Sequence, residues 1–275
     1  MQTVALACRS PADLGLPPAR WSVRSLAAQL VDDGVFTEIH YSTVCLILRE
    51  ADLQPHRRLY WKNSDDPDFE RKAVRVLWYY QRAASLRREG VYVFCLDEKP
   101  NLQLLGRPFP DLPMRPGRPL RREHEYDRLG TANLVLIHDV VTGELFGRSV
   151  AHNRSPHLTA VLDRHVASLP QARQIHYILD NGPTHGSRHT RDWIAAQGGR
   201  VRFHFTPTGA SWLDQAEIAL SVFSRRYLRD RVWTERAEFA PHIRRSIAHH
   251  NRSHARPFDW SFTRDRFVQW RCCRN

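Results

Sequence analysis

The sequence predicts an α/β protein, a mixed sheet flanked by helices with a small helical domain in front of it. Three observations carry this. Alternating apolar runs begin only after Gly90 and come three in succession; strand and helix patterns then alternate from about residue 158; and the first fifty residues show helical spacing alone. With 275 residues, 42% of them apolar, the chain can bury one large core and one small one.

From Trp21 the apolar positions Val23, Leu26, Ala27, Leu30 and Val31 recur at helical spacing until Asp32-Asp33-Gly34 breaks the pattern. A second helix is expected after Ser42, a residue able to cap it, running through Val44, Ile47 and Leu48 toward Ala51. Two short helices about a turn suggest a helix-turn-helix, winged-helix-like DNA-binding domain over residues 1–53, with Ser42, Thr43 and Arg49 as candidate DNA contacts. Residues 54–89 are a linker and a basic helix. The polar, aperiodic stretch from Leu53 to Phe69 reads as the linker, and from Glu70 to Arg88 the residues Ala73, Val74, Leu77, Tyr80 and Ala84 offer a buried face. Arg71, Lys72, Arg75, Arg82, Arg87 and Arg88 would form its solvated side.

Residues 90–275 make the α/β domain. Strands are expected at VYVFCLD, ANLVLIHDV and ELFGRSVAH, with Thr142-Gly143 turning between the last two. A helix near Leu158–Ser168, the strand IHYILD, a helix near Ser187–Gln197, the strand VRFHFTP and a long helix near Trp212–Arg229 follow.

The 41 Lys and Arg against 29 Asp and Glu give a formal charge of +12, a field that attracts polyanions, although an Arg-rich proteome would produce the same balance. Five cysteines, Cys8, Cys45, Cys95, Cys272 and Cys273, lack paired zinc spacing and suit a reducing cytosol. No apolar run approaches the roughly 20 residues of a membrane span, and no signal-like start is present, so a cytoplasmic protein is expected.

Two apolar runs lead into an acid, VFCLD at Asp97 and YILD at Asp180, where ligand sites of open α/β sheets cluster; a turn-capping Asp is the alternative for either alone. Glu217 borders the apolar side of the helix that contains Ile218 and Leu220. Three acids on separate elements can share metal ions. Two Mg²⁺ ions would serve phosphodiester displacement by stabilising the attacking and leaving oxygens, and Mg²⁺ prefers oxygen ligands. No G-x-S-x-G elbow, phosphate-binding Gly-rich loop or H-E-x-x-H competes. Glu98, next to Asp97 on a strand, should face the other way and is left out of the set. His185 can hydrogen-bond a ligand or a phosphate, or be an ordinary loop histidine. Arg115, Arg118, Arg121 and Arg122 around Pro116, Gly117 and Pro119 suggest an extended basic loop that tracks DNA phosphates; Arg225, Arg226 and Arg229 are further candidates, and Trp212 is expected to pack the start of its helix.

The motifs LDEKP, MRPGRP, GTANL, ILDNGPTH and FTPTGASWLDQAE, in this order, resemble the bacterial insertion-sequence transposases of the mariner-type superfamily, in particular the group numbered six-thirty. WSVRSLAAQLV and YSTVCLILREADLQPHR look like that family's second helix-turn-helix, and the resemblance runs from about Val4 to the end. It implies an RNase H-like catalytic domain whose DDE triad is Asp97, Asp180 and Glu217, separated by 83 and 37 residues (180 − 97 and 217 − 180). It further implies two Mg²⁺ or Mn²⁺ ions, nicking of double-stranded DNA at terminal inverted repeats, joining of the freed 3′ ends at TA targets, and a homodimer that synapses two ends near the nucleoid. The sequence departs from the family in three places. It starts almost at the second helix-turn-helix, as a truncated or frameshifted product would; Cys45 and Leu46 stand where a polar recognition face is expected; and Asp214 replaces a frequent Asn, adding charge near the metals or capping the Glu217 helix. A structure-selective nuclease and an inactive DNA-binding remnant are the rival readings.

Overall fold

In the computed structural model, which describes residues 2–53 and 64–267, the chain divides into two units, residues 1–61 and 62–275. In the first, α1 (Gln2–Ala7), α2 (Val23–Asp32) and α3 (Tyr41–Glu50) enclose a core of Leu6, Trp21, Leu26, Leu30, Val44 and Leu48. α2 starts at Val23 because Ser22 is extended and its Oγ accepts the Ser25 amide at 3.0 Å. α1 escaped the sequence reading because six residues are too few to display a period. The expected cap of α3 is corrected: His40 caps it, its Nδ1 accepting the Ser42 amide at 3.4 Å and pairing with the Ser42 hydroxyl at 2.7 Å, so Ser42 lies inside the first turn. No strand accompanies these helices among the described residues, so the winged part of the expectation has no counterpart there.

Residues 54–63 of the expected linker lie outside the described residues. Its last part is held to the second unit, where the Asp66 carboxylate accepts the Thr208 amide at 2.9 Å and the Lys72 ammonium at 2.8 Å. The second unit then runs α4 (Phe69–Arg88), β1 (Val91–Gly106), β2 (Asp127–Asp139), β3 (Leu145–Val150), α5 (Ser155–Ala167), β4 (Gln174–Leu179), α6 (Arg188–Ala196), β5 (Val201–Phe205), α7 (Gln215–Phe223) and α8 (Phe239–Ser253). The sheet order is β3-β2-β1-β4-β5, with β1, β2 and β3 antiparallel and β1, β4 and β5 parallel, the mixed sheet that the sequence predicts. Alternation along β1 sends Val93 and Cys95 into one core with α4, Leu213 and Ala216, and Phe94 and Leu96 into another with α5. Among the described residues no helix is long and apolar enough to cross a membrane.

Three boundaries differ from the expectation. β1 and β2 pair well beyond VYVFCLD and ANLVLIHDV, as far as Gly106↔Asp127; register shifts at Lys99/Leu102 and Gln103/Leu105 and exposed residues around Pro100 and Asp127 break the alternation that marks a strand in sequence, although Leu104 is buried there. The long helix expected near Trp212–Arg229 is three pieces. A 3₁₀ turn (Ser211–Leu213) stops at Asp214, which is extended (φ −87°, ψ 112°) and caps α7, and a π-helical turn (Ser224–Leu228) follows α7. α8 was not expected. Its buried Phe239, Ile243, Ser246, Ile247 and His250 are helically spaced, but Ser and His in that stripe hide the apolar period.

Candidate active site

The site begins with a register. β1 and β4 pair in parallel from Val91↔Gln174 to Cys95↔Ile178, a constant offset of 83 residues, the separation of Asp97 and Asp180. Continued by two residues, that register sets Asp180 beside Asp97, on the face of Cys95 and Ile178. One expectation is corrected: Asp97 is not at a strand end but inside β1, opposite Leu136 of β2. It is β4 that stops, at Leu179, and leaves Asp180 in the loop beyond it. On the same face Leu213 and Ala216 pack into the core with Cys95 and Ile178, which brings Glu217, in the first turn of α7, toward the two aspartates.

Asp97 feels the other two acids. Burial, then the negative fields of Glu98, Asp180 and Glu217, push the Asp97 carboxyl up to about 7 against a 2.7 Å hydrogen bond from the Glu98 amide. Asp180 goes the other way, lowered chiefly by His185: its Oδ1 lies 2.9 Å from His185 Nδ1 as an ion pair and accepts the Gly182 amide at 2.8 Å, while His185 Nδ1–H donates to the Asp180 carbonyl at 3.0 Å. A Cβ on Gly182 would stand 3.0 Å from that oxygen and 3.1 Å from His185 Nδ1, so the loop closes this tightly only with glycine there. Glu217 is half-buried and its carboxylate enters no hydrogen bond or ion pair among the described residues.

His185 is 1% exposed, and its Nε2–H reaches both Glu98 oxygens at 2.9 Å. Burial opposes charge on the imidazole, but the bonds to Asp180 and Glu98 outweigh it and raise His185 to about 10. A buried imidazolium thus links two carboxylates. Glu98 does turn away from Asp97, as its place on the strand requires, and stays outside the set of three acids; its part in the site is to hold the histidine that contacts Asp180. Nothing in the sequence spacing pairs residue 98 with residue 185.

Asp214 is buried at the start of α7, where its Oδ1 accepts the Ala216 amide at 2.8 Å. Burial raises its carboxyl well above the ordinary range, with Asp97, Glu217 and Asp180 adding to the effect. Tyr80 of α4 secures the same turn: its hydroxyl donates to the Leu213 carbonyl at 2.7 Å and accepts the Gln215 amide at 3.3 Å. Trp212 packs edge-on against Phe262, with ring centroids 5.2 Å apart.

The candidate DNA contacts fare unevenly. Arg122 is engaged within the protein: it grips Asp111 through Nε (3.0 Å) and Nη2 (2.7 Å) and donates to the Asp230 carbonyl at 2.8 Å, which staples the loop that follows β1. Arg115, Arg118 and Arg121 are exposed on that loop, whose backbone closes on itself through Arg115↔Arg118 and Leu112↔Arg121. Arg225 and Arg226 are exposed on the π-helical turn, and Thr43, Arg49, Cys45 and Leu46 are exposed on α3 of the first unit.

Among the described residues no group of three or more His, Cys, Asp or Glu side chains is drawn together tightly enough to hold a metal ion by itself. The donor chemistry nevertheless fits a hard divalent cation. Asp97, Asp180 and Glu217 offer oxygen alone, water and phosphate oxygens can complete such a shell, and a cation would offset the burial, and after it the crowding of charge, that raises Asp97.

A family model described as DDE superfamily endonuclease matches residues 93–240. Among solved structures, the chain is similar to the Mos1 mariner paired end complex with Mn (17% identity, 84% of this chain and 72% of that chain, TM-score 0.53). It is also similar to the Mos1 strand transfer complex (17% identity, 92% and 75%, TM-score 0.53). At these identities the likeness is one of fold, that of the RNase H-like catalytic cores. No curated protein sequence matches significantly.

Proposed function

The chain belongs to the DDE superfamily endonucleases, and from that membership we propose that it is a transposase, of the insertion-sequence group numbered six-thirty in bacteria, working on DNA of the nucleoid. It nicks double-stranded DNA at the terminal inverted repeats of its own element and joins the freed 3′ ends at TA targets. Asp97, Asp180 and Glu217 are its catalytic carboxylates. The observation that carries this reading is the shared register of Asp97 and Asp180 with Glu217 brought to the same face by α7.

These three side chains would hold two Mg²⁺ or Mn²⁺ ions, whose chemistry is to stabilise the attacking and leaving oxygens of an in-line phosphodiester displacement. His185 keeps one Asp180 oxygen occupied and so fixes the direction of the other. Glu98 keeps His185 charged and in place. Asp214 and Tyr80 set the start of α7, and with it the height of Glu217. Exposed Arg115, Arg118, Arg121, Arg225 and Arg226 contact phosphates, while α3 of the N-terminal unit, with Ser42, Thr43 and Arg49, engages DNA as the second helix of a helix-turn-helix. The similar Mos1 structures are a paired end complex with Mn and a strand transfer complex, which supports a homodimer that brings two ends together.

The test is nicking of a duplex that carries the terminal repeat, in Mg²⁺ or Mn²⁺, by this chain and by Asp180→Asn. Metal-dependent nicking lost in the variant, with joined products on TA-containing target, is the expected result. Binding without nicking by either protein would sink the reading, and hydrolysed ends that never join would reduce it to a nuclease.

A further inference from the structure

The basic residues of α4, expected to be one solvated face, divide in the structure. Arg71 pairs with Asp68 and Lys72 with Asp66, each at 2.8 Å, and Arg87 pairs with Asp139 and lies over the Tyr92 ring. Arg88 is in the last turn, where the helix dipole favours a cation. Arg75 and Arg82 remain, and with Arg202 of β5 they enter no ion pair among the described residues although all three are exposed.

These three are neighbours of one aromatic surface. Positions 75, 78 and 82 share a helix stripe, and there Trp78, 38% exposed, carries the Arg82 guanidinium 5.3 Å from its ring centroid. Tyr79 lies against His176 and His204, with ring centroids 5.0 and 4.3 Å apart, and those two histidines share a 2.8 Å hydrogen bond across β4 and β5. Arg202, two residues before His204 on the outer strand, faces the same side, and its charge and that of Arg75 both act on Tyr79 and on His204. Two guanidiniums thus converge on one platform, and among the described residues no acid acts on Tyr79 or His204 there, an arrangement that repels itself until an anion joins it. An outer strand uses a charge to deter unwanted pairing, but that role needs Arg202 alone and leaves Arg75 and Arg82 unexplained.

We propose that this α4–β5 patch is a track for the backbone of duplex DNA, with phosphates bound at Arg75 and Arg202 and the contact extended along the helix by Arg82 on Trp78. The proposal rests on the endonuclease reading and adds where a duplex is held away from the catalytic acids. The patch is a helix side and a strand edge and inserts no element into a groove, so it holds DNA without reading sequence.

The experiment is metal-free binding of random-sequence duplex across a salt series. For Arg75→Gln/Arg202→Gln the slope of log affinity against log salt should fall by about 2, near 0.9 per phosphate contact, and for Arg82→Gln by about 1. Arg164→Gln/Arg188→Gln removes the same charge from α5 and α6 on the opposite face and should leave the slope at the wild-type value. Arg75→Lys/Arg202→Lys, which keeps the charge, should restore the slope and so separates lost contact from lost folding. An unchanged slope in the first variant, an equal fall in the control pair, or a wild-type chain that does not bind would overturn the proposal. Because the measurement requires neither metal nor cleavage, a chain that binds in this way and never nicks counts against the endonuclease reading alone, and one that nicks with an unchanged slope counts against the patch alone.

Discussion

At the scale of single residues, the candidate site is built on a histidine that ligates nothing in the reading proposed for it. His185 is buried between Asp180 and Glu98, so removing either partner leaves a charge in the interior with half its compensation. Glu98→Gln keeps the shape and one acceptor but removes the charge. Nicking is expected to fall roughly 10- to 100-fold, the usual cost of losing a group that orients a metal ligand, with more Mn²⁺ needed for half-maximal rate. A metal titration of nicking rate on the variant checks this, and an unaltered midpoint would refute the positioning role. Gly182→Ala tests the same contact from the other side: a methyl 3.0 Å from Asp180 Oδ1 has to displace the carboxylate or the ring, so activity should fall further than thermal stability. Asp97 and Asp180 were legible in the sequence because each follows an apolar run, and their 83-residue separation is the strand register itself. Glu98–His185 was not legible, because a strand residue facing away meets the site again only through the fold of a loop.

Among the elements, α7 shows where periodicity misleads. The apolar pattern runs on through Trp212, Leu213, Ala216 and Leu220, which suggests one helix across Asp214, against the alternative that Asp214 caps the Glu217 helix. Short-range capping decided otherwise: the Asp214 carboxylate takes the Ala216 amide, and the backbone leaves helical geometry there. That acid is expensive at neutral pH. Its folded carboxyl lies well above the unfolded value, so its stabilising protonated form is complete below the ordinary carboxylate range and is lost as pH rises. Asn caps a helix as well as Asp and carries no charge. Asp214→Asn should therefore raise Tm by a few degrees at neutral pH and by much less at pH near 4, where both residues are uncharged in the fold; equal gains at the two pH values would exclude charge as the cause. α8 carries the complementary lesson, since its buried stripe includes Ser246 and His250 and a purely apolar template passes over it.

On the scale of the whole molecule, the mixed pairing of the sheet follows from the three strand patterns after Gly90 and the alternation of strand and helix behind them, whereas the strand order and the extended β1–β2 pairing do not, because the extension shifts register at Lys99/Leu102 and Gln103/Leu105 and interleaves exposed residues with the buried Leu104 and Ala132. The same interior sets the response to acid. Burial holds four histidines neutral, His138 and His176 at about 4 and His165 and His204 at about 3, while the unfolded chain takes up a proton at each near 6.5. A histidine lowered in the fold contributes stability that is whole above 6.5 and is lost as pH falls toward its folded value, up to about 1.4 kcal/mol per pH unit. Asp97 and Asp214, raised in the fold, work in the opposite direction over this window, and His185 is protonated in both states below 6.5 and contributes no slope. His242, His250 and His254 are lowered as well, so seven groups against two leave a net uptake of protons on unfolding between pH 6.5 and about 4.5. Stability should consequently fall as pH is lowered through that range, and the hydrogen-bonded His176–His204 pair, which cannot carry two protons and keep its 2.8 Å contact, should account for part of the slope. Denaturant unfolding at a series of pH values, on the wild type and on His204→Asn, measures both statements: the variant should show the shallower dependence, and a wild-type stability that is flat or rises toward pH 4.5 would mean that these imidazoles are not held neutral by the fold.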